Sequence, residues 1–241
     1  MTHVKQWDER RSLMIFETAE ELVTASAIHF AHIVKTAINE RGKSCMALSG
    51  GSTPQAIFQK LTREPLLLPE EWERLHLFWS DERAVPPDHP DSNYRMAMDA
   101  GFKNMPIPPH QIHRMHAETN IEQHALQYEQ ILPDMFDLIM LGMGEDGHTA
   151  SLFPHTAALH VDRPIAANFV PSKSVWRMTM TFPCLHKTRN LIVYTMGSLK
   201  KEMLRTLFCS PFQPEEYPAQ AVGTAECPAV WFVDKAAASL L

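Results

Sequence analysis

The stretch from Asp137 to Pro154, DLIMLGMGEDGHTASLFP, holds the residue types best suited to chemistry in this chain. An apolar run, Leu138 to Leu141, gives way to Gly142 and Gly144. A polar cluster of Glu145, Asp146, Gly147, His148, Thr149 and Ser151 follows. An imidazole titrates near neutral pH and can take a proton from water. Asp146, two residues before His148, can orient or tune that imidazole, and the glycines let a ligand approach the main chain. No GxSxG nucleophile elbow is present, so the chemistry suggested is acid–base catalysis rather than a serine acyl-enzyme.

Other segments offer anion chemistry. Ser49 to Pro54 (SGGSTP) sets two glycines and two hydroxyls, Ser49 and Ser52, just before an expected helix N-terminus. Exposed backbone N–H groups and the helix dipole make such a turn a phosphate cradle. It is neither a Walker A loop nor a GxGxxG fingerprint, so nucleotide binding is not implied. Lys200 falls in the first turn of a helix opened by Gly197 and Ser198, where a cation opposes the dipole and an anion relieves it. Arg177 lies inside the strand-like VWRMTMT and needs a partner, either a phosphate or a structural ion pair. Asp81, Glu82 and Arg83 form a further charged group. Asp81 and Arg83 could hold a polar substrate, and Glu82 is expected in a local ion-pair cluster. His110, His113 and His116 recur every three residues, but Pro108 and Pro109 interrupt them and no carboxylate or Cys pattern completes a site. They are expected to be loop or surface histidines, with no metal.

The elements that must position these residues alternate. Thr18 with Glu21 forms a capping-box pattern, apolar residues recur at helical spacing from Leu22 to Ile38, and Gly42 suits the C-terminal cap. Strands are expected at Cys45–Leu48, Leu75–Trp79, Leu138–Leu141, Val175–Thr181, Leu191–Thr195 and Ala229–Asp234. Further helices are expected after a Thr53 N-cap, over Asp91–Ala100, after Thr119 and over Ser198–Leu207. The strands are mostly continuous apolar runs, which predicts an α/β fold, a three-layer α/β/α arrangement with a mostly parallel, modified Rossmann-like sheet, in one domain spanning 1–241. The loops at 49–53, 81–83, 142–148 and 197–200 all follow strands, and open α/β sheets bind ligands outside the carboxyl ends of their strands.

Bulk properties narrow the class. The 241 residues are 45% hydrophobic, and 22 Lys plus Arg against 28 Asp plus Glu give a net charge of −6. A mildly acidic chain without basic runs is not expected to bind nucleic acid. Cys45, Cys184, Cys209 and Cys227 form no CxxC pair and read as reduced thiols. The polar N-terminus and the lack of a long apolar run predict a cytoplasmic protein without membrane association. It is expected to act on a small molecule, as a monomer or weak homo-oligomer.

SGGSTP, SDERAVPPDHPDSNY, LGMGEDGHTASLFP, RMTMTFP and GSLKKEML occur in an order and at spacings that resemble the 6-phosphogluconolactonase family, within the wider group that includes glucosamine-6-phosphate isomerase/deaminase. The resemblance runs from the first helix to the closing VWFVD. The isomerase branch follows its DGH with Ile-Ala-Phe-Asn-Glu-Pro; here Thr149 to Pro154 reads TASLFP, the lactonase form. The resemblance implies a phosphate site at Ser49, Gly50, Gly51, Ser52, Arg177 and Lys200, and a reacting end at Asp81, Arg83, Asp146 and His148. It implies hydrolysis of 6-phospho-D-glucono-1,5-lactone without metal or organic cofactor. His148 would act as base, and Arg83 with backbone N–H groups of the Gly142–Gly144 turn would stabilise the oxyanion. Either Asp81 or Asp146 could support His148. The rival activities are an amino-sugar-phosphate isomerase or deaminase and a non-catalytic sugar-phosphate sensor.

Overall fold

The computed structural model describes residues 3–241. Its strands are β1 (His3–Gln6), β2 (Arg11–Phe16), β3 (Ser44–Leu48), β4 (Leu75–Trp79), β5 (Asp81–Arg83), β6 (Leu138–Gly142), β7 (Ile165–Val170), β8 (Val175–Met180), β9 (Leu191–Thr195) and β10 (Ala229–Asp234). Its helices are α1 (Ala19–Arg41), α2 (Ser52–Arg63), α3 (Pro69–Trp72), α4 (Asn93–Asp99), α5 (Ile121–Glu129), α6 (Phe182–Leu185) and α7 (Lys201–Cys209).

Seven strands form one sheet in the order β1-β2-β10-β9-β6-β3-β4. Only β1 runs antiparallel to its neighbour. Every residue of β3 and of β9 is buried, as continuous apolar strands require when helices cover both faces. Through β2, β3 and β4 the chain steps one way along the sheet. After β4 it returns through β6, β9 and β10. Right-handed crossovers in opposite directions put their helices on opposite faces, and α1 and α2, from the outgoing half, pack on each other. The direction reverses between the adjacent strands β3 and β6. Helices leave in opposite senses there and open a crevice at the carboxyl ends of the strands.

A second sheet covers that end. Ser80 donates from its amide and hydroxyl to the Leu48 carbonyl (2.8 and 3.1 Å), and the chain continues straight into β5. β5 pairs antiparallel with β8, and β8 with β7. VWRMTMT, expected as a strand, supplies β8 of this separate antiparallel sheet beside the mostly parallel one. Its alternation, with Val175 and Trp176 exposed and Met178 and Met180 buried, belongs to a sheet with one solvated face.

Two helix starts also differ from expectation. Gly51 (φ 103°), not Thr53, is the N-cap of α2, because only glycine readily takes that backbone. Asn120 (φ 40°), not Thr119, precedes α5. At the ends of α1, Thr18 Oγ1 accepts from the Glu21 amide (3.1 Å) and Gly42 donates to Ile38 (2.8 Å) as the spacing predicts, but the Glu21 carboxylate accepts from the Glu17 amide (3.0 Å) and not from Thr18 as a full capping box requires. All four cysteines are free, and burial pushes the Cys45 and Cys184 thiols up to about 11 and about 12. Among the described residues no helix is long and apolar enough to cross a membrane.

Candidate active site

A cleft of about 240 Å³ opens at the β3–β6 switch point. All four strand-end loops contribute to it: Ser49 to Pro54 after β3, Asp81 and Arg83 beyond β4, Gly142 to His148 after β6, and Lys200 after β9. Arg177 reaches it from β8. Asp146 does not itself line the cleft; its carboxylate meets His148, which does.

The imidazole is held from two sides. Asp146 Oδ1 accepts from the His148 amide at 3.2 Å and makes a short hydrogen bond with Nδ1. Burial alone would push the Asp146 carboxyl up. The hydrogen bond and charge of His148 outweigh it and hold the carboxyl down at about 2. The ring of Phe153 stacks on the imidazole with centroids 3.9 Å apart and planes 16° apart. With Nδ1 engaged, Nε2 is the nitrogen left for chemistry. The turn is built for this pair. A Cβ on Gly144 would lie 2.0 Å from His148 Nδ1 and 2.5 Å from Asp146 Oδ1, so a side chain there would displace both. Ala150, a cleft residue, has φ 46°, a conformation that costs a non-glycine residue free energy and recurs at functional turns. The Gly144 amide donates to the His148 carbonyl (2.9 Å), so it closes the turn and is not free to serve an oxyanion.

Another part of the lining is cationic, with Arg83, Arg177 and Lys200. In the antiparallel register Arg83 faces Arg177 directly. Burial lowers the Arg177 pKa; Asp81 opposes that effect, and Arg83 adds to it. The Arg83 Nη1 donates to the Asp91 carbonyl at 2.6 Å, and the Nε of each arginine is buried with no hydrogen-bond partner among the described residues. Lys200 ends the 3-10 turn Ser198–Lys200 and leads into α7. The first turn of α2 has no side-chain cap, which leaves its N–H groups for solvent or an anion.

Asp81 does not touch His148. It is a buried part of the cleft lining, where Oδ2 accepts from Ser151 Oγ (2.6 Å) and lies 3.9 Å from Arg177 Nη1, while Oδ1 accepts from Asn93 Nδ2 (3.1 Å). The geometry therefore couples Asp146, not Asp81, to the imidazole. Ser151 and Asn93 were missed as site residues by sequence reasoning. The serine follows His148 by three residues, and the asparagine sits in the SDERAVPPDHPDSNY motif. Asn93 Oδ1 packs against Gly50, where a Cβ would lie 1.9 Å away.

Glu82 corrects an expectation. Among the described residues it forms no ion pair; it accepts from the amides of Arg83, Asn93 and Tyr94 and from the Ser92 hydroxyl, capping the N-terminus of α4. Burial pushes its carboxyl up against the pull of these four donors. His110 and His116 are exposed as expected. His113, in the same irregular segment, stacks on Phe78 (4.3 Å) and approaches His76 Nδ1 at 3.2 Å. No cluster of His, Cys, Asp or Glu among the described residues could hold a metal ion.

Nine buried side-chain N or O atoms among the described residues have no hydrogen-bond partner. Five of them belong to the cleft residues Arg83, Asn93, Arg177, Tyr194 and Thr195. Unpaired buried polar groups are costly to a fold, and five of the nine are gathered in this one cleft.

An open α/β sheet with an anchored imidazole and a cationic wall at its switch point defines an enzyme-like, anion-receptive cleft. Residues 17–231 match the model of the glucosamine-6-phosphate isomerases/6-phosphogluconolactonase family, and the chain belongs to that family. It is 40% identical over 216 residues to a 6-phosphogluconolactonase of Synechocystis, covering 85% of this chain and 87% of that one. It is also 40% identical over 206 residues to a 6-phosphogluconolactonase of Chlamydia pneumoniae, covering 82% and 78%. The crystal structure of 6-phosphogluconolactonase from Thermotoga maritima superposes with a TM-score of 0.81 at 29% identity, over 94% of this chain and all of that one. A monomeric glucosamine-6-phosphate deaminase shares the fold, with a TM-score of 0.78 at 22% identity.

Proposed function

We propose that the protein hydrolyses 6-phospho-D-glucono-1,5-lactone to 6-phosphogluconate, the second step of the oxidative pentose phosphate pathway, as a single cofactor-free cytoplasmic domain. The observation that carries this reading is that a carboxylate-anchored imidazole and a cationic wall share one cleft. The substrate needs both, a base for water and a seat for its phosphate.

In this mechanism the phosphate lies on the backbone of Gly50, Gly51 and Ser52, flanked by Ser49 and met by Arg177 and Lys200. His148 Nε2 takes a proton from water as the water oxygen attacks the lactone carbonyl. Arg83 stabilises the oxyanion. When the tetrahedral intermediate collapses, the ester bond to the ring oxygen breaks and the imidazolium returns its proton to that oxygen. The products are a hydroxyl and a carboxylic acid, which ionises. Asp146 keeps the imidazole in one tautomer and balances its charge. Asp81, with Ser151 and Asn93, positions Arg177. A strained ester is already reactive, so much of the required acceleration comes from positioning by the phosphate.

The test is hydrolysis of the lactone, generated enzymatically from glucose 6-phosphate and followed by 13C NMR. Turnover above the spontaneous rate, lost in His148→Ala, is expected. Release of ammonia from glucosamine 6-phosphate with no lactone hydrolysis would overturn the reading in favour of a deaminase. Sugar-phosphate binding without turnover of either compound would indicate a sensor.

A further inference from the structure

We propose that Phe153 is a positioning residue for the reaction, acting through His148: its ring fixes the plane of the imidazole and favours the protonated form that arises during turnover. The inference rests on the hydrolytic reading above.

Phe153 is 1% exposed, and its ring lies against the imidazole with near-parallel planes 3.9 Å apart at the centroids. The same ring carries the Arg177 guanidinium 5.3 Å from its centroid. One phenyl group thus touches both the proposed base and a cation of the phosphate seat. Asp146 restrains one atom of the imidazole, Nδ1, and leaves the ring free to turn about that bond. A flat apolar surface removes this freedom. The two contacts together define both the position and the direction of Nε2.

The second effect is electrostatic. The face of a phenyl ring is negative, and a cation above it within about 6 Å is stabilised. Neutral imidazole gains little from this, whereas imidazolium gains more. The charged groups around His148 are Asp146 and Glu145 on its own turn, Arg177 on β8, Arg83 and Asp81 on β5 and Lys200 after β9. Asp146 stabilises the imidazolium and the arginines and Lys200 oppose it. The ring of Phe153 adds to the favourable side without adding a charge that would compete for the phosphate.

The test replaces Phe153 with phenylalanines carrying one, two or three ring fluorines, which keep the shape and progressively weaken the negative face. Wild type first establishes that the lactone is hydrolysed; if it is not, the hydrolytic reading fails before this one is reached. With activity present, each added fluorine should move the acid limb of kcat/KM to lower pH, by about half a unit over the series. NMR titration of the His148 ring should follow in parallel. Phe153→Leu should lower kcat about tenfold or more with little change in KM. An acid limb and an imidazole titration that stay put across the fluorinated series would overturn the electrostatic role. A Phe153→Leu variant with wild-type kcat would overturn the positioning role.

Discussion

Arg83 and Arg177 stand directly opposite each other on neighbouring antiparallel strands. Like charges in that register repel, and the nearest carboxylate, Asp81, lies 3.9 Å from Arg177 and is already hydrogen-bonded by Ser151 and Asn93. The pair should cost the free protein stability, and on the proposed reading the substrate phosphate relieves that repulsion. In Arg83→Met the free protein should melt at or slightly above the wild-type temperature, by up to about 1 kcal/mol of added stability. The stabilisation produced by 6-phosphogluconate should shrink. Scanning calorimetry with and without ligand checks both halves; a less stable free protein with an undiminished ligand response contradicts the relationship.

Lys200 places its charge in the cleft at the entrance to α7. Lys200→Ala should raise KM about tenfold and leave kcat nearly unchanged, the pattern of lost uniform binding. An unchanged KM in steady-state kinetics would count against the phosphate seat.

Asp146 should be separable from His148 by its own pH signature. Its carboxyl is depressed to about 2 from an ordinary value of 3.8. A depressed carboxyl stabilises the folded state above its unfolded pKa, and that contribution is lost as pH falls through the folded pKa. Acid unfolding monitored by circular dichroism should therefore be less steep between roughly pH 4 and pH 2 in Asp146→Asn. Turnover at neutral pH should drop about 10²- to 10⁴-fold, because the amide no longer enforces the tautomer. Retention of wild-type kcat would show that the imidazole needs no carboxylate.

Gly50 and Asn93 should be energetically coupled. Gly50→Ala puts a methyl 1.9 Å from Asn93 Oδ1 and should destabilise by about 1–3 kcal/mol. Asn93→Ala alone removes the two hydrogen bonds to Asp81. The double variant should be less destabilised than the sum of the singles, since the second change removes the atom with which the first collides. Strict additivity in urea denaturation would contradict that contact.

The sequence made some parts of this site easy to see and hid others. β4, β9 and β10 have the bounds that their apolar runs predict. The four loops share a cleft because strand-end position is a local property that topology then gathers. The β5–β8–β7 sheet was harder. Asp81–Arg83 is too short and too polar to resemble a strand, and its partners lie far along the chain. Ser151 was unremarkable among its polar neighbours until folding brought it to Asp81, 70 residues away. Glu82 looked like an ion-pair residue because its donors are mostly backbone amides, which composition does not display.

The reversal of chain direction between β3 and β6 has a kinetic consequence. The cleft draws on residues from Ser49 to Lys200, and its floor exists only once β3, β6 and β9 lie side by side. Parallel neighbours are joined by long crossovers, so these contacts close large loops and form late. The newly made chain has no abbreviated version of the site, and activity during refolding should appear with the final cooperative step rather than with the first helices.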